Sequence, residues 1–305
     1  MDGNGVLAPR VILGLPYNSR GVLLQATQAL GATIMISANS CWRKDTGLQP
    51  PGDAAWMSYG ACLDSAGYTA MKQGGYRWTV DEYVDFVVQG GHREGRPFAW
   101  RWWAAMDYCC EPEIAADRAE VERRIDATVA SLGETLDYVD AWREEGADDL
   151  PDPMPTLQGR TVADYLRCAE GLAGELRTRG RDGLPQLVGI GSVCRRHLHG
   201  PDGLLNIIRG LDVALPPRVR FHLFGVKGAA LTHLRRLGLI HRVESVDSLA
   251  WDYEATISAQ KARISCTVEH RAGCMRRWYE ANVERARAGA TTVERSGQLR
   301  LFGAA

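Results

Sequence analysis

Short runs rich in Val, Ile, Leu, Phe or Trp recur along this 305-residue chain, separated by longer stretches whose apolar residues fall on one helical face. The runs are RVILGLP (10–16), ATIMISAN (32–39), GACLDS (60–65), FAWRWWAAMD (98–107), PTLQG (155–159), QLVGIGSV (186–193), FHLFGV (221–226) and RVESVDS (242–248). Each predicts a strand. Between them, residues 113–146 place Ile114, Val121, Ile125, Val129, Leu132, Leu136 and Val139 on one helical face behind Pro112, a good helix starter. Segments 161–178 and 203–213 have the same character, and 270–289 (Met275, Trp278, Tyr279, Val283, Ala286) predicts a last helix against the outside of the molecule. Eight continuous apolar strands, each followed by a helical crossover, predict an α/β fold of the (β/α)8 TIM-barrel type with a C-terminal helical appendage. A doubly wound sheet is the competitor. Its dinucleotide loop would have to be GIGSVC (189–194), which lacks the third glycine and has no acidic residue closing a strand about 20 positions on. The acidic, proline-bearing segment REEGADDLPDPMP (143–155) reads as a surface connection, so residues 1–305 are expected to form a single barrel domain.

Composition narrows the partners. With 36 Lys and Arg against 37 Asp and Glu the net charge is −1, so nucleic acid would have to be gripped by a local patch such as CRRHLH (194–199) or CMRRWYEANVERAR (274–287). The N-terminus lacks the pattern of a signal peptide, and no apolar run reaches the roughly 18 residues of a membrane span. A cytoplasmic protein without a membrane partner is expected. Its eight cysteines are scattered, which favours free thiols over a disulfide framework.

In a barrel of this kind the C-terminal ends of the strands gather at one mouth, where chemistry is done. Polar residues stand at several of those ends: Asn39, Asp64, Asp107, Gln158, Ser192 and Asp247. Each alone also suits a helix cap or a turn. Jointly they bring two carboxylates, Asp64 and Asp247, to one mouth. One can attack a carbon as nucleophile while the other moves a proton to and from the leaving group, as in retaining glycosidases.

The motifs around these residues resemble those of the tRNA-guanine transglycosylases. LDSAGYTAMKQGG looks like that family's aspartate-serine-glycine-glycine-aromatic signature, and VDSLAWDY resembles the segment holding its nucleophile. AAMDYC, TLQG, LVGIGSV and LFGVKG are similar to four further motifs, and all six occur in the family's order between residues 63 and 253. VGIGSVCRR, FHLFGVKG and SVDSLAW together look closest to the DpdA branch of phages and bacteria, which inserts 7-deazaguanine derivatives into DNA. The resemblance implies a pentosyltransferase that replaces guanine in DNA with a base such as 7-cyano-7-deazaguanine, using no redox cofactor. By matching position, Asp247 would be the nucleophile that forms a covalent sugar ester, with Asp252 as the nearby alternative. Asp64 would be the general acid and base. Asp107 would read the purine's N1 and exocyclic amine, and Gln158 and the backbone N–H of Gly189, beside Ile190, its carbonyl oxygen. Tyr68 and Phe224 would sandwich the ring.

DNA, single-stranded or opened, and a free 7-deazaguanine base are the implied partners, with a homodimer or a partner protein that opens the duplex also envisaged. In a phage the location would be the host cytoplasm. The rivals are a tRNA-guanine transglycosylase, a deazapurine nucleoside hydrolase, and a non-catalytic subunit that binds a base or nucleic acid.

Arg195 and Arg196, after the sixth strand, could hold phosphates beside the target nucleotide or merely begin a solvated helix. The sequence departs from the family at Ala66, where a glycine is usual, which is tolerable unless that position needs φ > 0. It departs again at the family's zinc site. The usual cysteine cluster is absent, and CTVEHRAGC offers Cys266, His270 and Cys274 instead, within a zinc or helix subregion at 262–290. A structural zinc needs four ligands and no histidine follows 270, so a zinc site and a buried cysteine pair with a surface histidine both remain open.

Overall fold

The structure, a computed structural model, describes residues 8–16, 21–50, 61–91, 100–226 and 228–287. Strands β1 (Arg10–Leu15) and β2 (Ile34–Ser37) are followed by a short antiparallel hairpin, β3 (Trp42–Arg43) with β4 (Gly47–Leu48). Then come β5 (Ala61–Asp64), β6 (Trp100–Trp103), β7 (Thr156–Leu157), β8 (Leu187–Ile190), β9 (Arg220–Leu223) and β10 (Val243–Ser248). All but the hairpin form one parallel eight-stranded sheet in the order β6-β5-β2-β1-β10-β9-β8-β7. Its two edges meet at a parallel bridge between Ala104 and Met154. There Met154 N–H donates to Trp103 O (2.7 Å) and Ala105 N–H to Met154 O (3.0 Å), which curls the sheet into a barrel. Every apolar run of the sequence carries one of these strands; residues 60 and 98–99 of two runs lie outside the described residues.

The strands are apolar throughout because both faces are covered. Helices α1 (Val22–Ala29), α2 (Ala38–Cys41), α3 (Gly67–Lys72), α4 (Val80–Gly91), α5 (Arg118–Glu144), α6 (Val162–Thr178), α7 (Leu204–Ala214), α8 (Ala229–Arg236), α9 (Ala250–Ala262) and α10 (Val268–Arg287) follow the strands in turn. Two large clusters fill the space between sheet and helices, one around β7–β9 and α5–α7, the other around β1–β6 and α4. Trp100 and Trp103 belong to the second, with indole N–H groups donating to Val87 O and Pro151 O. Inside the barrel a small cluster of Ile12, Met35 and Cys62, with Trp102 and Phe224 packed on it, forms a floor. Space for a ligand begins above it.

The first long helix starts at Arg118, not at 113. Asp117 supplies the cap by accepting the Glu120 N–H at 2.8 Å, and Pro112 sits ahead of it in a separate turn. Helix α6 opens with a capping box in which Thr161 and Asp164 bond each other's backbone N–H groups. Helix α10 packs against α1, α8, α9 and β1, with Met275 and Ala286 buried; positions 288 and 289 of its expected span lie outside the described residues. All eight cysteines are free thiols. No helix among the described residues is long and apolar enough to cross a membrane.

Candidate active site

A cavity of about 280 Å3 opens at the C-terminal ends of the strands, and Asp64, Tyr68, Asp107, Gln158, Phe224 and Asp247 all line it. Asp64 ends β5, and Asp247 is the last but one residue of β10. In the sheet order these strands stand three apart in a ring of eight, which sets the two carboxylates across the mouth from one another. Asp252, by contrast, pairs with Arg271 at 2.6 Å on α9 and is not on the wall.

The acids sit in different surroundings. Burial pushes the Asp64 carboxyl up to about 7, and the negative charges of Asp107 and Asp247 push the same way against hydrogen bonds from Ala66 N–H and the Ser37 hydroxyl. A group so placed holds a proton near neutrality and can give it up. Asp247 is fixed differently, its Oδ1 accepting the Gly225 N–H at 2.7 Å.

Asp107 is buried, and burial raises its carboxyl to about 6 against hydrogen bonds from Ser65 and Gln158. The Ser65 hydroxyl donates to its Oδ1 (2.5 Å) and the Gln158 amide to its Oδ2. Gln158 Oε1 accepts from Ser192 Oγ at 2.5 Å. The Tyr76 hydroxyl donates to Asp107 O (2.8 Å) and accepts its N–H (3.1 Å), so backbone and side chain are both held. The result is a fixed polar edge along one wall of the cavity.

This arrangement explains the small residues after Asp64. A Cβ on Gly67 would lie 2.7 Å from Asp107 O and 2.8 Å from its Oδ1, so glycine lets Asp107 approach α3. Gly67→Ala is therefore expected to destabilise the protein by about 1–3 kcal/mol, measured by thermal unfolding, because backbone has to move. Ala66 has φ 72°, the left-handed conformation, so the position does favour the glycine usual there. Ala66→Gly is expected to stabilise by up to about 1 kcal/mol in the same assay, since a non-glycine residue costs about 1–2 kcal/mol in that conformation.

Tyr68 stands at the rim. Its hydroxyl donates to Glu113 Oε1 at 3.2 Å, and the exposed Arg195 guanidinium lies 5.1 Å from its ring centre. Arg196 is not at the disposal of a ligand: it donates to the carbonyls of Ser192 (2.9 Å), Arg160 (2.6 Å), Asp202 (2.8 Å) and Gly159 (3.0 Å), tying two mouth loops together. Nor does the structure bring Gly189 or Ile190 to the cavity wall. The Gly189 N–H donates to Pro155 O at 2.8 Å in the sheet, and the missing side chain makes room for Phe224, whose ring a Cβ there would meet at 2.6 Å. Gly191 and Ser192 line the cavity in their place. Asn39 does not line it.

The structure brings only two of the three candidate zinc ligands together. His270 Nε2 and Cys274 Sγ are 3.6 Å apart, but Cys266 is exposed in the link between α9 and α10. His270 Nε2 lies 2.9 Å from Ser258 Oγ and 3.1 Å from Ala255 O, while Arg277 donates to Cys274 Sγ at 3.1 Å, putting a cation beside the thiol already. No group of three His, Cys, Asp or Glu side chains placed to hold a metal occurs among the described residues. The donor set does not fit a four-ligand structural site.

Sequence reasoning missed Glu111, which lines the cavity, and His222 beneath it; Ser192, one of the polar strand-end residues, lines the cavity as expected. Glu111 follows Asp107 in the loop beyond β6, and Ser192 Oγ lies 3.0 Å from its Oε2. A lone histidine in the apolar run FHLF, at an inward-facing position of β9, was the signal available for His222.

Fold and site define a TIM-type α/β barrel whose acidic cavity lies where enzymes of that fold place their chemistry. Among solved structures it is similar to the YdjI aldolase of Escherichia coli K12 (TM-score 0.50, 8% identity, covering 91% of this chain and 90% of that one). The Campylobacter jejuni fructose-bisphosphate aldolase is as similar (TM-score 0.50, 11% identity, 91% and 89% covered). At such identities the likeness is one of fold alone. No curated protein matches the chain. The chain belongs to the DpdA family, DeoxyPurine in DNA protein A, whose family model matches residues 25–298. Membership places it among the transglycosylases of DNA deazapurine modification, with DNA as the substrate class.

Proposed function

We propose that this protein exchanges guanine in DNA for a free 7-deazaguanine base, such as the 7-cyano form, through a covalent aspartyl-sugar intermediate. The observation that carries the reading is the placing of Asp64 and Asp247 across one cavity from each other, beside the fixed Asp107–Gln158 edge. Asp247 attacks C1′ of the target nucleotide. The C1′–N9 bond breaks, its electron pair goes to the departing guanine, and Asp64 supplies the proton. In the second half the incoming base returns its N9 proton to Asp64, N9 bonds to C1′, and the ester's pair returns to Asp247. Atoms and charge balance over the cycle.

Asp107 and Gln158 support recognition of the purine edge, and Tyr68 and Phe224 offer aromatic faces, worth about 1–3 kcal/mol per stacked base. The target nucleotide has to leave its stack at a cost of about a few kcal/mol in duplex DNA, which favours a single strand or a helper, either a second copy or another protein, that opens one. Exposed Arg195 at the rim suits a flanking phosphate.

The test supplies purified protein with radiolabelled guanine and either single-stranded DNA or tRNA. Label entering DNA, and being displaced by a 7-deazaguanine, is the expected result. Label entering tRNA alone would replace DNA as the substrate, and free base released without incorporation would make the protein a hydrolase.

A further inference from the structure

Beneath the cavity, on the inner face of the barrel, lies a histidine to which the chemistry above gives no part. His222 on β9 is fully buried, with its ring 4.7 Å from that of Trp102 and 4.5 Å from that of Phe224. Its register partner on β10 is Ser245, and inward-facing positions recur every second residue, so the next one up that strand is Asp247. Its two ring nitrogens face these two residues. Nδ1 lies 2.8 Å from Ser245 Oγ. Nε2 stands 3.3 Å from Asp247 Oδ1, within reach but out of line, so that it completes no hydrogen bond here.

We infer that His222 is a positioning residue for Asp247: with Gly225 N–H it fixes Oδ1 and leaves Oδ2 as the oxygen that attacks. This rests on the reading of Asp247 as the nucleophile. The Ser245 hydroxyl donates to Nδ1, which keeps the proton on Nε2, facing the carboxylate. In this role the ring transfers no proton. Buried sites tolerate few unpaired donors, and the Nε2–H has Asp247 as its acceptor. Hydrogen bonds of this kind are often long and misaligned before substrate is bound and close in the complex. After attack, Oδ1 is the ester carbonyl and still accepts from Nε2 and Gly225, so the same two donors hold the acid in both halves of the cycle.

The experiment measures exchange kinetics of four variants beside the native protein, with circular dichroism and thermal unfolding as fold checks. His222→Phe keeps an aromatic ring against Trp102 and Phe224 but removes the donor. It is expected to lower kcat about 100-fold with the KM for free base unchanged, the scale of a misplaced reacting group. His222→Gln, whose amide reaches the place of Nε2, should recover most of that loss. Ser245→Ala, which frees the tautomer without altering the ring, should lower kcat about tenfold. A purely structural histidine would move the unfolding temperature and not give this order. His222→Phe within threefold of native kcat, or unchanged kcat in Ser245→Ala should His222→Phe fail to fold, overturns the inference. Asp247→Ala, run alongside, separates the two claims: exchange surviving in that variant removes the nucleophile and this inference with it, whereas an inactive Asp247→Ala beside a fully active His222→Phe removes the inference alone.

Discussion

Asp247→Ala is expected to abolish base exchange, lowering kcat by at least about 10⁴-fold, because no other group on the cavity wall is held in its position to form the sugar ester. The fold should survive. Asp247 sits at the open end of β10, above the floor of Ile12, Met35 and Cys62 and not within either large core. Its removal leaves the Gly225 N–H facing a cavity that water can enter, and it relieves the repulsion acting on Asp64. Single-turnover release of guanine from labelled DNA, followed with a thermal unfolding curve of the same sample, measures both expectations. Turnover persisting in this variant would leave the nucleophile unassigned.

Asp64→Asn carries the second large effect, a slowing of guanine release and of base incorporation by about 10²–10⁴-fold, since the amide neither gives nor takes the proton. In the native protein, release needs Asp64 protonated. With its carboxyl raised to about 7, the single-turnover release rate should fall as pH rises above 7, and the asparagine variant should lose that dependence. Native stability also falls with rising pH. The folded carboxyl keeps its proton to about pH 7 while the unfolded one loses it near 3.8, so this group's contribution is full below 3.8 and is lost as pH rises toward 7. Asparagine escapes that loss. The variant should be about 1–2 kcal/mol more stable than the native protein at pH 8, the gap closing toward pH 4. A variant that is less stable at pH 8 would show that Asp64 is not under the strain its surroundings imply.

The strands were legible in the sequence because a covered parallel sheet writes itself as continuous apolar runs, and the mouth followed from where those runs end. Helix α9 was not legible: its buried face consists of Trp251, Ala255 and Ala259, and small residues at helical spacing barely stand out from their neighbours. The glycine beside Asp64 was visible, but its use was not. Gly67 admits Asp107 from the loop beyond β6, far along the chain, a contact no local pattern records. Arg196 read as a phosphate ligand because it follows a strand, yet a guanidinium next to several free loop carbonyls is taken up by them. Cys266, His270 and Cys274 have ligand-like spacing, but helix α10 begins at Val268 and leaves Cys266 outside it on an exposed link.

The most direct measurement is a crystal structure of the protein with 7-cyano-7-deazaguanine bound. The base is expected to lie between Tyr68 and Phe224 with its amino-pyrimidine edge on Asp107 and Gln158, and with N9 turned to the gap between Asp64 and Asp247. A base seated elsewhere, or one with N9 pointing away from that gap, would contradict the account.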